Sequence, residues 1–144
     1  MRDAGIEHVE HRYAFTTKGA AYAAEALAIE PERMAKSLVA RVDDAFVFAL
    51  VPGDAELSLR SLARTAGGRR ARLAELRDAE RLTGYQVGGI SPFGSRRALP
   101  VYAAPEWLAH DRVALNGGAR GCIVELATAD LVRLLDPIPM KPSG

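Results

Sequence analysis

Two apolar runs, parted only by Asp43-Asp44, dictate the centre of this chain's fold. Residues 45–51, Ala-Phe-Val-Phe-Ala-Leu-Val, are its longest uninterrupted apolar stretch. Residues 35–42 before them place Lys36, Leu38, Ala40 and Val42 on one face of a strand and Ser37, Val39 and Arg41 on the other. Two such runs around a short polar break predict a β-hairpin, Ala35 to Val42 and Ala45 to Val51. Seven apolar residues fall far short of the roughly 20 that span a bilayer, so the run belongs to a core and no membrane partner is expected.

The rest of the chain supplies elements to cover that hairpin. Ile6 to Tyr13 reads as a strand and the alanine-rich Lys18 to Ala28 as a helix. Ser58 caps a helix through Ala66 that Gly67-Gly68 ends. Leu73, Leu76, Ala79 and Leu82 recur at helical spacing, predicting an amphipathic helix that Gly84 stops. Tyr85 to Val87 reads as a short strand and Gly88 to Arg97 as a loop. Leu99 to Ala103, Arg112 to Leu115 and Gly121 to Leu126 read as strands, and Thr128 as the cap of a last helix, Ala129 to Leu135, that Pro137 stops. Residues 137–144 read as a tail. The expected class is α/β in the α+β sense: a mixed, mostly antiparallel, barrel-like sheet flanked by helices.

With 144 residues, 49% of them hydrophobic, the chain can build one ordinary core without staples. The single cysteine, Cys122, allows no disulfide within the chain and suits a reducing compartment. Residues 1–12 hold charges and histidines but no apolar signal segment, so a cytoplasmic location is expected. A net charge of +1 argues against a protein that coats nucleic acid indiscriminately. Of the 19 basic residues only Lys18, Lys36 and Lys141 are lysines, and the arginines cluster at Arg69, Arg70 and Arg72, at Arg96 and Arg97, and at Arg120. Arginine suits bidentate phosphate binding, although a solvated surface is the plainer reading of any one cluster.

Three places could carry chemistry. Lys36 puts an ammonium on an otherwise apolar strand face, where it either snorkels to water or serves as a desolvated lysine. Gly88-Gly89-Ile90-Ser91-Pro92-Phe93-Gly94 lets a backbone approach a ligand with its N–H groups exposed, although its spacing is also that of a plain turn. Gly117-Gly118-Ala119-Arg120-Gly121 offers an anion-binding concavity or a tight turn. Cys122 shares a face with Val124 and Leu126, as a core thiol would. His8, His11 and His110 are not arranged as metal ligands, so no metal site is expected.

The order of Lys36-Ser37-Leu38-Val39, Thr83-Gly84-Tyr85-Gln86-Val87-Gly88-Gly89-Ile90-Ser91-Pro92-Phe93-Gly94, Gly117-Gly118-Ala119-Arg120-Gly121 and Glu125-Leu126 resembles the YbaK/EbsC family over about residues 6–135. That family includes free-standing aminoacyl-tRNA deacylases related to the editing domain of bacterial prolyl-tRNA synthetases. The resemblance implies a single editing domain over residues 1–136 that hydrolyses the ester joining a wrong amino acid to the tRNA 3′ end, with no cofactor. By the same resemblance Lys36 matches the lysine central to activity and Gly88 to Pro92 the Gly-x-x-x-Pro loop of the aminoacyl pocket. Lys36, with the backbone of Gly88 and Gly89, is the implied catalytic set. Tyr13, Ser37, Ile90, Ser91, Pro92, Phe93, Asn116, Gly117, Gly118 and Arg120 are the implied substrate-binding residues. An activated ester needs positioning and charge stabilisation more than a side-chain nucleophile.

In the family it resembles, some members, notably those acting on cysteinyl-tRNA, carry an acidic residue where this chain has Ile123. The expected cargo is therefore alanine, serine or threonine rather than cysteine, on tRNA(Pro). The implied partners are the acceptor end of a mischarged tRNA and prolyl-tRNA synthetase, and the expected state is a monomer or weak dimer. Two rivals are a non-catalytic module that binds the acceptor end or a synthetase, and a thiol hydrolase built on Cys122, which lacks a histidine partner in the pattern.

Overall fold

The computed structural model describes residues 7–14 and 24–141. Most of the helix expected over residues 18–28 lies outside them, and residues 24–26 are helical. The hairpin forms as the alternation dictates: β2 (Ala35–Val42) pairs antiparallel with β3 (Ala45–Pro52), Val42 opposite Ala45 and Lys36 opposite Val51. Asp43 turns the corner at φ 51°, a left-handed conformation that a short side chain with local hydrogen bonds tolerates.

Two sheets result. The smaller has the order β1 (His8–Arg12), β7 (Cys122–Ala127), β6 (Arg112–Asn116) and is antiparallel throughout. The larger has the order β4 (Ala71–Leu73), β2, β3, β5 (Val101–Ala103), β8 (Ile138–Pro139), its last two pairings parallel. A parallel bridge between Met34 and Ala114 joins the sheets. The fold is thus mixed α/β, with antiparallel pairing predominant and helices alongside.

Local chemistry explains the helix ends. In α1 (Leu59–Ala66) the Ser58 hydroxyl accepts from Ser61 N at 3.1 Å, and Gly67 closes the last turn at φ 74°. In α2 (Leu76–Thr83) Gly84 does the same at φ 79°. The short α3 (Pro105–Leu108) buries Trp107, whose indole N–H donates to Arg33 O at 2.8 Å. Phe48, Leu50, Leu62, Leu115, Leu126 and Leu131 share the main core with Trp107, each burial contributing about 1.5–3 kcal/mol.

Four sequence expectations need correction. Leu73 does not open the second helix: residues 71–73 pair with Ala40–Val42, Ala74 N extends that ladder to Val39 O, and Leu73 is 54% exposed, so cross-strand pairing overrides the helical spacing. Tyr85 to Val87 is not a strand, because side chains take its amides: Tyr85 N donates to Thr83 Oγ1 and Val87 N to Glu80 Oε2. Thr128 does not cap α4 (Thr128–Leu135) but is its first residue, and its hydroxyl donates to His110 O, tying the helix to the start of β6. Residues 137–144, read as a tail, supply β8, and Met140 behind it is buried.

Candidate active site

The glycine-rich segment after α2 is held from several sides. Gly84 reverses the chain, and Glu80 and Thr83 anchor residues 85–87 as described. The Tyr85 hydroxyl reaches across the loop to donate to Phe93 O. Ser91 is 0% exposed, and its Oγ accepts from Phe93 N at 3.1 Å, so it shapes the turn around buried Pro92. Gly89 N donates to Gln86 O at 2.8 Å. The amides of Gly88 and Ile90, like those of Gln86, Ser91 and Gly94, have no acceptor among the described residues.

Asn116, at the end of β6, joins this segment to the second glycine loop. Its Nδ2 donates to Gly88 O at 2.9 Å while its Oδ1 accepts from Gly118 N at 2.7 Å. One carboxamide therefore fixes both loops. Arg120 adds a second tie, Nε to Val87 O at 2.8 Å. The loops touch backbone to backbone: a Cβ on Gly89 would stand 2.8 Å from Arg120 N and 2.9 Å from Ala119 C. Gly118, at φ 103°, lies against the Tyr85 ring, which would be 3.0 Å from a Cβ there. Gly117 packs over Val124 and Cys122 in the same way.

Lys36 approaches from the other sheet. The bridge between Met34 and Ala114, reinforced by Ala114 N donating to Arg33 O at 2.9 Å, runs the two chains side by side in parallel. Two residues further along each stand Lys36 and Asn116. Lys36 is partly buried and has no hydrogen-bond or ion-pair partner among the described residues. Ser37 takes the opposite face of β2, and its buried Oγ lacks a hydrogen-bond partner among the described residues.

An apolar floor lies beside these groups. Met34, Ala114, Ile123, Ile29 and Ala24 form one buried cluster against which Tyr13 packs, and Tyr13 N donates to Gly121 O at 3.0 Å. Ile123 faces Asn116 across the ladder and is 4% exposed. Burial pushes the Tyr13 phenol above its usual range, with Cys122 adding to the effect, so the group is a neutral donor at physiological pH. Cys122 itself is buried.

Further along the same face of β7 as Ile123, Glu125 gathers basic side chains: Oε2 accepts from Arg33 at 3.0 Å, Oε1 lies 3.1 Å from His11 Nε2, and Arg112 stands at 3.6 Å. Burial alone would raise the carboxyl, but the Arg33 and His11 hydrogen bonds, with the charges of Arg33 and Arg112, hold it below the ordinary range. This network braces β1, β6 and β7 together.

The geometry thus brings Gly88, Gly89, Asn116, Gly118 and Arg120 into one constellation, with Tyr13 and Ile123 on the adjoining floor and Lys36 on the strand running alongside. Ser91 and Pro92 lie beneath the loop. Sequence reasoning missed Tyr85 and Gln86 as site-building residues. The φ-positive glycines and the aromatic at residue 85 were visible, but their pairing across loops was not.

A family model described as the aminoacyl-tRNA editing domain matches residues 16–134. A protein of Enterococcus faecalis, EbsC, named as a proposed Cys-tRNA(Pro)/Cys-tRNA(Cys) deacylase, is 33% identical over 132 residues, covering 90% of this chain and 80% of the relative. The Escherichia coli multifunctional Ser/Thr-tRNA deacylase ProXp-y is 35% identical over 108 residues, 72% of this chain and 65% of that one. A crystal structure described as a proposed trans-editing enzyme for prolyl tRNA synthetase superposes with a TM-score of 0.81 at 28% identity, over 96% of this chain and 87% of that one. Shared fold, shared length of match and the family model agree: the chain belongs to the aminoacyl-tRNA editing domain family.

Proposed function

We propose that this chain is an aminoacyl-tRNA deacylase, acting in trans, that hydrolyses the ester between a wrong amino acid and the 3′ end of a mischarged tRNA. The observation that carries the reading is the Lys36 ammonium: partly buried, without an anionic partner among the described residues, and running alongside the residue that joins two glycine loops. A cation so placed gains most when a negative group arrives, because partial desolvation strengthens the interaction. Lys36 holds the reacting end of the substrate through charge-assisted hydrogen bonds. The amides of Gly88 and Ile90 donate to the ester carbonyl as negative charge develops on its oxygen. Water attacks the carbonyl carbon, the bond to the ribose oxygen breaks, the proton passes to that oxygen, and free amino acid and tRNA leave. Gly89, whose own N–H is engaged by Gln86, contributes closeness of approach instead.

The favoured cargo is alanine, serine or threonine on tRNA(Pro), supplied through association with prolyl-tRNA synthetase. Apolar Ile123 on the floor offers no carboxylate to an ammonium or thiol, and the Ser/Thr-tRNA relative agrees with this, whereas the name of the Enterococcus relative points to cysteine. Release of amino acid from Ala-, Ser-, Thr- and Cys-tRNA(Pro) by wild type and Lys36→Ala tests both levels. The expected result is loss of at least 100-fold in the variant with an unchanged circular dichroism spectrum. Wild-type turnover in Lys36→Ala would overturn the mechanism, and preferred release of cysteine would overturn the cargo.

A further inference from the structure

A second cationic feature lies away from Lys36. Between α1 and β4 runs an open groove of about 330 Å³ lined by Arg60, Arg64, Arg69 and Arg70, with Leu59, Ala63, Gly68 and Ala71 between them and no carboxylate in the lining. All four arginines are exposed. The sequence underlies this: from Leu57 to Ala74 there are five arginines, Arg72 included, and no acidic residue, so this stretch carries +5 while the remainder of a +1 chain carries −4. Elsewhere many arginines are partnered, Arg33, Arg41, Arg77, Arg81, Arg112 and Arg133 each sitting within 4 Å of an Asp or Glu, although exposed Arg96 and Arg97 have no such pair among the described residues. Arg60 and Arg70 have no such partner among the described residues.

The groove is also rigidly presented. Asp43, the acidic side chain hydrogen-bonded to its loop, is engaged by backbone: it accepts from Arg69 N at 3.1 Å and Arg70 N at 3.0 Å, and its own N–H donates to Arg70 O at 2.9 Å. Those amides hold its carboxyl below the ordinary range. The hairpin corner thereby fixes the backbone from which two guanidinium groups project. Clustered arginines in a concave, preorganised surface with no carboxylate in its lining favour a ligand with several phosphates.

Position selects the ligand. β4 pairs with the last residues of β2, Ala71 opposite Val42, whereas Lys36 lies near the start of that strand. Six strand residues place the groove ~20 Å from Lys36, the length of about six stacked base pairs. We infer that this groove is a sequence-independent docking surface for the phosphodiester backbone of the acceptor stem, seated while the 3′ end occupies the site beside Lys36. The inference rests on the proposed tRNA substrate.

The test uses the triple variant Arg60→Gln/Arg69→Gln/Arg70→Gln, whose side chains are exposed and whose aliphatic stems are partly kept. Binding of uncharged tRNA is measured between 50 and 200 mM salt, which requires no catalysis. The expected result is affinity about 10- to 100-fold weaker at low salt, with the slope of log K against log salt smaller by about two to three. On mischarged tRNA, KM should rise with kcat nearly unchanged, while hydrolysis of an aminoacylated CCA trinucleotide, which has no stem, should match wild type. Equal tRNA affinity and salt slope in variant and wild type would overturn the docking surface, as would an equal loss on the trinucleotide. So would groove-dependent binding of a mononucleotide such as ATP in competition with tRNA, which would make this a nucleotide site. Loss of hydrolysis in Lys36→Ala is read separately: tRNA binding that weakens only in the triple variant supports the groove even if no ester is cleaved.

Discussion

The side-chain amide of Asn116 donates to Gly88 O at 2.9 Å, and through its other atom it accepts from Gly118 N. A single uncharged residue at a strand end therefore bridges two loops that have no sheet pairing with one another. Asn116→Asp keeps the acceptor but places a carboxylate against the Gly88 carbonyl where a donor stood. The expected outcome is a 10- to 100-fold fall in kcat/KM with little change in melting temperature, since mispositioning by a fraction of an ångström is costly to rate but not to a solvent-facing loop's stability. Asn116→Gln, with the same groups one methylene further out, should recover part of the activity. Full activity in Asn116→Asp would show that the loops are set by other contacts.

Gly89→Ala forces a methyl against backbone, 2.8 Å from Arg120 N, and neither loop can yield without breaking a hydrogen bond described above. Overpacking of this kind costs about 1–3 kcal/mol. Urea unfolding should show that loss in midpoint at unchanged slope, and deacylation should fall with it. An alanine at Gly67 meets nothing within 4 Å and has only its left-handed φ of 74° to contend with, so it serves as the control for strain without collision.

Glu125 gives the protein an acid-labile brace. Its folded carboxyl titrates below its value in the unfolded chain, so its contribution is fully present above the ordinary glutamate range, about 4.3, and is lost as pH falls through the lower folded value. Glu125→Gln should cost about 1–3 kcal/mol at pH 7, the worth of hydrogen bonds to a charged group, and the gap to wild type should narrow as pH approaches 3. Denaturant melts at both pH values decide it: a gap of constant size would mean that the cations stabilise the strands without Glu125.

Cys122 is enclosed by Gly117 and its own strand and has no histidine among the hydrogen bonds formed by described residues. Cys122→Ala should leave deacylation within about threefold of wild type and cost about 1 kcal/mol for the lost volume. Inactivation by that substitution would revive the thiol mechanism.

What could be read ahead of the structure was whatever local chemistry decides. The hairpin follows from alternation around Asp43-Asp44, and the helix ends from Ser58, Gly67 and Gly84. β4 and β8 were hidden because three-residue and two-residue strands exist only through partners far away in sequence. Trp107 made α3 no easier to foresee, since its indole acts on Arg33, 74 positions earlier. In the candidate site, motif order singled out Lys36, the glycine loops and Asn116. It could not reveal that Gly89's amide turns inward to Gln86, that Tyr85 braces Gly94 and Gly118, or that the arginines at 60–70 line one concave surface.

The two-residue β8 also has a bearing on the integrity of the larger sheet. Ile138 and Pro139 lie along Tyr102 and Ala103, Met140 N donates to Ala103 O at 2.9 Å, and Lys141 N is anchored on Thr65 Oγ1 at 2.7 Å. Proline at that border offers no N–H to a further strand. Trimming the chain behind Leu135 would strip this guard and leave β5 as a naked, apolar margin inviting another molecule to zip on.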